Sequence, residues 1–381
     1  MKNKLVLVVI GLVVLIFVGV LLLSRTNSLD TFSSFSKPKS IPVNWGTTPE
    51  AILDDSYIFF AFDNNVSVSY YRQYFSDDKV IKIGSIDNFA LGSRGLTQIN
   101  DKLYFYIGII YDRDIKPYEG GEKNILYSID IKNSVLESYP PSEGITAPGI
   151  NQMTSFDSKV AAILRAYDGE KTNTYIDIFD TEKRTWRQVL FNTFNNGINT
   201  GLKLVGLWAD SNRVYVICDH CMGDTDNFAM LDIYDTNFNL IRSVKMPDDM
   251  RSTFIQDTDV WDFSVFKDYL YVKNSLNYSC IGKIKDETIE LLKEGQFTIA
   301  YNQLNLNIPV FYYRMDKRYF ELDLKTGPSK EYTLQFAQGY KLMGMLATNN
   351  KALMHCVNGD KPLFLYYIPR KNLSNTYIPC G

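Results

Sequence analysis

The chain has 381 residues, with 40 basic and 43 acidic side chains and a formal net charge of −3. Hydrophobic residues make up 45% and aromatic residues 14%, which is enough for a large core and too much for a disordered chain. No cluster of Lys and Arg is present, and neutralising a phosphate backbone requires one, so the composition argues against nucleic acid as a partner.

The first predicted element is a membrane helix from Leu5 to Leu23, a run of 19 apolar residues preceded by Lys2 and Lys4. Such a helix would be about 28 Å long, close to the thickness of a hydrocarbon core. Positive charges before the helix place the N-terminus in the cytoplasm and the rest of the chain outside. We therefore predict that residues 1–23 are an uncleaved signal-anchor in the cell membrane. A cleaved signal peptide is the alternative, although the run is long and Arg25 follows in place of a small-residue cleavage site.

Residues 24–40 are rich in serine and show no periodicity, which predicts a flexible tether with a reach of about 20–25 Å. From residue 41 to residue 381, apolar residues alternate at period two between frequent turns, as in an all-β domain. One unit shows the pattern clearly. Its four predicted strands are Leu96–Ile99, Leu103–Ile107, Asn124–Ile131 and Val135–Tyr139.

The first hairpin of this unit, a polar turn followed by a strongly apolar strand, recurs seven times at intervals of 39 to 57 residues. Its turns are marked by Asp55, Asp101, Ser158, Asn212, Asp268, Asn307 and Asn350. A second marker, an aspartate between apolar residues, is assigned to the third strand at Asp130, Asp177, Asp232 and Asp323. Repeats of four strands predict a β-propeller, which also removes exposed sheet edges. We predict seven four-stranded blades, with six blades or a pair of β-sandwiches as alternatives.

With an anchor followed by repeated four-stranded units, residues 45–381 resemble bacterial signal-anchored extracytoplasmic β-propeller proteins. The Gly-His and Trp-Asp marks of WD repeats are absent, and a Kelch-type glycine doublet occurs only at Gly120-Gly121. The resemblance therefore implies an architecture and a location, and it assigns no functional residues.

The motif Cys218-Asp219-His220-Cys221 could bind zinc together with His355 and Cys356. Cys218 and Cys356 each lie six residues after a turn marker, where other units carry apolar residues such as Ala61, Ile107 and Leu164. A free cysteine packs as a small hydrophobic residue. We therefore predict that Cys218 packs in the core and that no metal is bound. A Cys218–Cys221 disulfide is an alternative, although residues three apart on a strand are too distant to bridge.

Other candidate sites are weaker. The segment from Gly223 to Asn227 resembles part of a calcium loop but lacks the later glycine and glutamate. The acidic run from Asp257 to Asp262 is expected to be a solvated loop. No G-x-S-x-G, H-E-x-x-H or phosphate-binding glycine motif is present, so we predict no cofactor and no catalytic residue. An enzyme acting on carbohydrate through paired carboxylates is an alternative, because such carboxylates need not be close in sequence.

The longest predicted excursions lie between the second and third strands, at Tyr111–Lys123, Arg165–Asn173 and Cys218–Asn227. In a propeller these loops emerge on one face together with the connections between blades, and insertions gathered on one face often form a binding surface. Ordinary solvated loops are the alternative. The candidate contact residues are Tyr111, Asp112, Arg113, Lys116, Tyr118, Arg165, Tyr167, Asp168 and His220. We predict a binding or scaffolding module for a surface protein or an envelope glycan, with a sensor ectodomain as a further alternative.

Overall fold

The computed structural model describes the chain from residue 48 to residue 378, with gaps. The residues outside the description are 1–47, 54, 65–66, 75, 77–78, 88, 92–94, 111–121, 140–149, 168–170, 196–200, 222–226, 257–259, 301–308, 314–317, 329–330, 334, 337–340, 349–350, 359–360, 370–376 and 379–381. The predicted anchor and tether therefore lie outside the described residues. Within the described part, no helix combines the length and the hydrophobicity that crossing a membrane would need.

The described chain is almost entirely β-structure, and its strands form consecutive antiparallel sheets that we number I to VII in chain order. Sheet I contains β1 (Thr48–Ile52), β2 (Ser56–Asn64), β3 (Ser67–Tyr74) and β4 (Val80–Asp87), and sheet II contains β5 (Phe89–Leu91), β6 (Leu96–Ile99), β7 (Lys102–Ile110), β8 (Glu122–Asp130) and β9 (Val135–Tyr139). Sheet III contains β10 (Ile150–Phe156), β11 (Lys159–Tyr167), β12 (Lys171–Asp180) and β13 (Thr185–Asn195). Sheet IV contains β14 (Gly201–Ala209), β15 (Arg213–Cys221), β16 (Phe228–Asp235) and β17 (Leu240–Lys245).

Sheets V and VI follow the same order, and sheet VII has three strands among the described residues, where four were predicted. Sheet V contains β18 (Val260–Phe266), β19 (Tyr269–Asn274), β20 (Ser279–Ile284) and β21 (Ile289–Gly295). Sheet VI contains β22 (Phe297–Ala300), β23 (Val310–Tyr313), β24 (Arg318–Asp323), β25 (Gly327–Pro328) and β26 (Tyr332–Thr333), and sheet VII contains β28 (Lys341–Ala347), β29 (Lys351–Asn358) and β30 (Lys361–Pro369). A short helix α1 (Asp248–Arg251) and a π-helical turn (Ser252–Gln256) connect sheets IV and V. Two short strands, β27 (Gln335–Phe336) and β31 (Tyr377–Ile378), pair in parallel.

Sheets II and VI have five strands because one strand of each is broken. In sheet II, β5 and β6 both pair with β7 and together replace the first strand. In sheet VI, β25 and β26 both pair with β24 and together replace the fourth. Each is therefore a four-stranded meander with one interrupted strand. This confirms the four strands predicted from Leu96 to Tyr139, to which the structure adds β5.

The sheets pack face to face in chain order, and sheet VII packs back against sheet I. The first strands of several neighbouring sheets contact one another, as β10 does with β6 and β14, β14 with β18, and β28 with both β22 and β1. Shared hydrophobic cores join the sheets around Tyr70 and Phe105 (I and II), Tyr139 and Phe179 (II and III), Ile163 and Leu207 (III and IV), Ile217 and Phe263 (IV and V), Tyr271 and Phe297 (V and VI), and Leu353 and Phe59 (VII and I). A closed ring of meanders with first strands innermost is a β-propeller.

This packing explains why the second strand of each unit is strongly apolar. Residues Leu103–Ile107 on β7 and Val214–Asp219 on β15 are buried without alternation, because neighbouring sheets cover both faces of the strand. The fourth strands lie at the outside of the ring, and β9 and β17 each contain exposed positions.

A β-bulge recurs in the first strands of sheets I to V and VII. In sheet IV it falls between Leu204 and Gly206, and in sheet V between Val260 and Asp262. Bulges increase twist and redirect side chains. Gly206 also marks a close approach of two sheets, since a Cβ there would lie 3.0 Å from the Phe263 ring.

The second marker lies in the third strand of all four sheets, as predicted, but its position along that strand differs between sheets. Asp130 and Asp323 end their third strands, and each carboxylate accepts backbone N–H groups of the following turn. In sheets III and IV the same contacts are made by Asp180 and Asp235. The predicted markers Asp177 and Asp232 lie three residues earlier, within β12 and β16. The apolar flanks of the marker describe any strand interior, whereas the polar turn after the aspartate is the feature that repeats.

Candidate functional site

We call the end of the ring where second strands lead to third strands the loop end, and the opposite end the turn end. In an antiparallel meander, the connections from fourth strands to the next sheet also lie at the loop end. The structure places β7, β11 and β15 so that each runs toward the loop end and stops before a segment outside the described residues. These segments are where sequence analysis placed the binding loops.

The strands extend further into these loops than predicted. Arg165 and Tyr167 belong to β11, Cys218–Cys221 belongs to β15, and β8 begins at Glu122. Regular cross-strand pairing continues to the last of these residues, because hydrogen bonding in a hairpin does not require apolar side chains. The connections are therefore shorter, at 111–121, 168–170 and 222–227.

The predicted contact residues fall into two groups. Outside the described residues lie Tyr111, Asp112, Arg113, Lys116, Tyr118 and Asp168. Arg165 and Tyr167 are placed as backbone at the end of β11, and their side chains are outside the description. His220 is the described member of the set: it is half-buried, and its ring stacks on Phe228 at a centroid distance of 4.5 Å. The prediction that all nine residues share one binding surface stays a prediction.

Asp219, which precedes His220, forms a buried ion pair that sequence analysis did not predict. Arg251 Nε donates to Asp219 Oδ1 at 2.7 Å, and the two side chains are 8% and 2% exposed. A charge this deeply buried requires a hydrogen-bonded partner of opposite sign. Arg251 is the last residue of α1, so the pair ties the connection between sheets IV and V to the loop end of β15.

The same connection is also attached to sheet V. Met250, Phe254 and Ile255 pack in the core shared by sheets IV and V. Asn274, the buried last residue of β19, donates from Nδ2 to the Thr253 carbonyl at 3.0 Å. α1 and the π-helical turn therefore cover the loop end of two adjacent sheets. At this position, a connection between sheets and the ends of the second strands lie on one face, as predicted.

Cys218 occupies the packing position predicted for it. Its side chain is fully buried, as are Ala61, Ile107 and Leu164 at the matching positions. Its thiol is free and lies 3.5 Å from Asp232 Oδ2. Burial raises the pKa of the Cys218 thiol well above its usual value, and the Asp232 carboxylate adds to the effect. Such a thiol stays protonated and unreactive at neutral pH.

The described part of the chain offers no grouping of metal ligands. Among its residues, no group of three or more His, Cys, Asp or Glu side chains is placed to hold a metal ion. The partners proposed for zinc, His355 and Cys356, are placed as backbone in β29. The calcium-like residues 223–226 lie outside the description.

The acidic run was wrongly expected to be solvated loop as far as Asp262, because Val260, Trp261 and Asp262 belong to β18. Asp262 is half-buried opposite Lys273 of β19. Burial raises the pKa of Asp262 to about 6, and the Lys273 ammonium partly offsets that effect. A glycosidase would need a second carboxyl group about 5–10 Å away, whereas the cross-strand partner here is a lysine.

Two large hydrophobic side chains at the loop end of sheet V are exposed, and neither was singled out from sequence. Trp261 is 58% exposed at the β18 bulge, and Leu276 is 71% exposed in the turn after β19. Trp261 follows Val260 in a strand pattern, which does not distinguish an exposed residue from a core residue, and Leu276 is a single apolar residue between Ser275 and Asn277. Only the bulge, which shifts the alternation by one residue, turns Trp261 outward.

No protein-family model matches the chain, and no curated protein sequence matches it. Among solved structures, the chain is similar to BamB from Moraxella catarrhalis, at 11% identity over 85% of this chain and 82% of that chain, with a TM-score of 0.40. It is also similar to the N-terminal domain of Nup159, at 9% identity over 84% and 90% of the two chains, with a TM-score of 0.45.

A third similarity is to acylaminoacyl peptidase from Pyrococcus horikoshii, at 10% identity and a TM-score of 0.47. It covers 72% of this chain but only 44% of the peptidase. The fold assignment rests on the sheet order and the sheet packing of this chain, and not on these similarities.

Proposed function

We propose that the protein is a membrane-anchored, extracytoplasmic β-propeller with seven blades, one for each of sheets I to VII. It acts as a binding or scaffolding module, and its loop end holds a surface protein or an envelope glycan. The anchor and the orientation come from Leu5–Leu23 and the lysines before it. The blade count is supported by the packing of sheet VII against sheet I.

One observation carries the proposal for the loop end. The buried pair of Asp219 and Arg251 joins the end of a second strand to the connection between two sheets. Two kinds of connecting segment, those between second and third strands and those between sheets, therefore meet on one face of the ring. Loops held by a rigid scaffold are where repeat proteins commonly place binding residues.

The test is recovery of partners from native membranes by the full-length tagged chain. A variant with Tyr111→Ala, Tyr118→Ala and Tyr167→Ala should lose at least about tenfold of the recovered partner, because aromatic residues commonly dominate contact energies. The matched control changes three exposed residues at the turn end, Glu182→Ala, Asn212→Ala and Asp286→Ala. Equal recovery by both variants would remove the case for the loop end.

A further inference from the structure

The interface between sheets V and VI contains a group of polar side chains at its loop end, which we call the V–VI polar cluster. In β18, Asp262 and Ser264 alternate with Phe263 and Val265, which pack in the core toward sheet IV. Asp262 and Ser264 therefore face sheet VI. The cluster consists of Asp262 and Ser264 of β18, Lys273 and Tyr271 opposite them on β19, Ser279 of β20 and Thr298 of β22.

Hydrogen bonds connect this cluster across the two sheets. Lys273 Nζ donates to Thr298 Oγ1 of sheet VI at 3.4 Å. The Tyr271 hydroxyl lies 3.4 Å from Ser279 Oγ, which donates to the Phe297 carbonyl of sheet VI at 2.5 Å. Burial and the nearby carboxylate of Asp262 raise the pKa of Tyr271. Polar groups from four strands therefore lie within reach of one another.

The cluster is half-exposed on one side and incompletely hydrogen-bonded on the other. Its members nearest the loop end, Asp262, Lys273 and Thr298, are half-buried, whereas Ser264, Tyr271 and Ser279 behind them are buried. Ser264 Oγ has no hydrogen-bond partner among the described residues, although the side chain is fully buried. Burying an unpaired hydroxyl is unfavourable. A polar group that enters between the two sheets would relieve that cost.

The half-buried groups have the chemistry that recognises an uncharged ligand rich in hydroxyls. An ionised Asp262 accepts hydrogen bonds and Lys273 donates them, and their charges cancel. Among the described residues, Lys273 supplies the charge that acts on Asp262. Adjacent hydroxyl groups of a sugar ring can donate to the carboxylate and accept from the ammonium, whereas an anion or a cation would be repelled by one of the two.

An exposed aromatic side chain adjoins this pair in the chain. Trp261 is 58% exposed and is the extra residue of the β18 bulge, because Val260 pairs with Asn274 and Asp262 with Lys273. Trp261 and Asp262 therefore both lie opposite Lys273. An indole offers a large apolar face, which can pack against the C–H groups on the face of a sugar ring.

We propose that the V–VI polar cluster and Trp261 form a binding site for a neutral saccharide. This rests on the proposed function of the loop end and names its ligand as a glycan. Neighbouring hydroxyls of one sugar ring bind Asp262 and Lys273, and the face of the ring covers Trp261. A few placed polar groups beside an aromatic surface are typical of sites that bind small ligands.

The experiment applies the full-length chain, purified in detergent, to an array of neutral and charged oligosaccharides that includes oligomers of N-acetylglucosamine, glucose and mannose. We expect binding to neutral oligosaccharides, and isothermal titration calorimetry with the best of them gives the Kd. Trp261→Ala and Lys273→Met should each raise the Kd at least about tenfold, since aromatic contacts and hydrogen bonds to charged groups carry such energies. Trp261 is exposed, so its variant should fold, as circular dichroism would verify.

The matched controls are Leu240→Ala and Lys132→Met, which replace an exposed apolar side chain and an exposed lysine elsewhere and should leave the Kd unchanged. Binding to charged glycans only, no binding to any oligosaccharide of the array, or a Kd that is unchanged in Trp261→Ala would each overturn this inference.

The tyrosine variant at residues 111, 118 and 167 separates the inference from the proposed function. If that variant loses its membrane partner while no oligosaccharide binds, the loop end holds a different ligand and only the inference is wrong. If a neutral oligosaccharide binds through Trp261 while the tyrosine variant keeps its partner, the saccharide site stands and the role of the three tyrosines is wrong. If neither experiment finds a ligand, both are wrong.

Discussion

The pKa of Asp262 is determined by its position in the ring. This residue lies on the innermost strand of sheet V, where burial disfavours its charged form and Lys273 across the strand pair partly restores it. Its pKa of about 6 is above the value of about 3.9 expected for an unfolded chain. The folded protein therefore holds a proton on Asp262 between these two pH values, whereas the unfolded chain does not.

This difference predicts a pH-dependent stability. The penalty for the buried charge is fully present above pH 6 and is relieved as the pH falls from 6 toward 3.9. Asp262→Asn should therefore increase the free energy of unfolding at pH 7 by up to about 2–3 kcal/mol, with little change at pH 4. Urea denaturation at several pH values measures it. The substitution also removes the attraction between Asp262 and Lys273, so a net loss of stability at pH 7 would show that this attraction outweighs the burial penalty.

At the scale of elements, the connection between sheets IV and V depends on one charge pair. α1 has only four residues and cannot be stable alone. It is held by its apolar side chains in the shared core and by Arg251 on Asp219. Removing either charge would leave the other buried without its partner.

We expect Asp219→Leu or Arg251→Met to reduce the free energy of unfolding by about 3–5 kcal/mol. The double variant Asp219→Leu with Arg251→Met should lose less than either single variant, because no buried charge remains. Denaturant titration of these three variants and the wild type completes the cycle. As the matched control, Asp101→Ala removes the exposed pair with Lys132 and should cost about 1 kcal/mol or less. Additive losses in the double variant would contradict a coupled pair.

For the whole molecule, closure of the ring depends on the packing of sheet VII against sheet I. Leu353 of sheet VII is fully buried and packs with Tyr57 and Phe59 of sheet I. The described residues of sheets I and VII share no strand, so this interface closes the ring by side-chain packing.

Leu353→Ala should therefore cost about 2–5 kcal/mol and should make unfolding less cooperative, because the ring opens at one interface. The measurement is denaturation followed by both tryptophan fluorescence and circular dichroism, whose transitions should separate in the variant. Leu240→Ala, at an exposed position on β17, should change stability by about 0.5 kcal/mol or less. Coincident transitions in the Leu353 variant would show that the other interfaces suffice for cooperativity.

The sequence alone predicted the local features whose causes are local. The turns at Asn100 and Asp157 have positive φ, which Asn and Asp tolerate better than most residues. The apolar second strands were also predicted, because both of their faces must be covered. The aspartate marker was also predicted correctly to lie in the third strands, although Asp177 and Asp232 lie three residues before the aspartates that end β12 and β16.

Tertiary structure alone decided which polar groups are buried and which apolar groups are exposed. Nothing near Asp219 in sequence indicates Arg251, since their contact joins residues 32 positions apart. Trp261 is exposed because a bulge displaces it, and the register of a bulge depends on the partner strand. Hydrophobic periodicity predicts which side chains of a strand are buried when that strand is regular. The ring, its closure and the buried pair of Asp219 and Arg251 arise from contacts between elements that are distant in sequence.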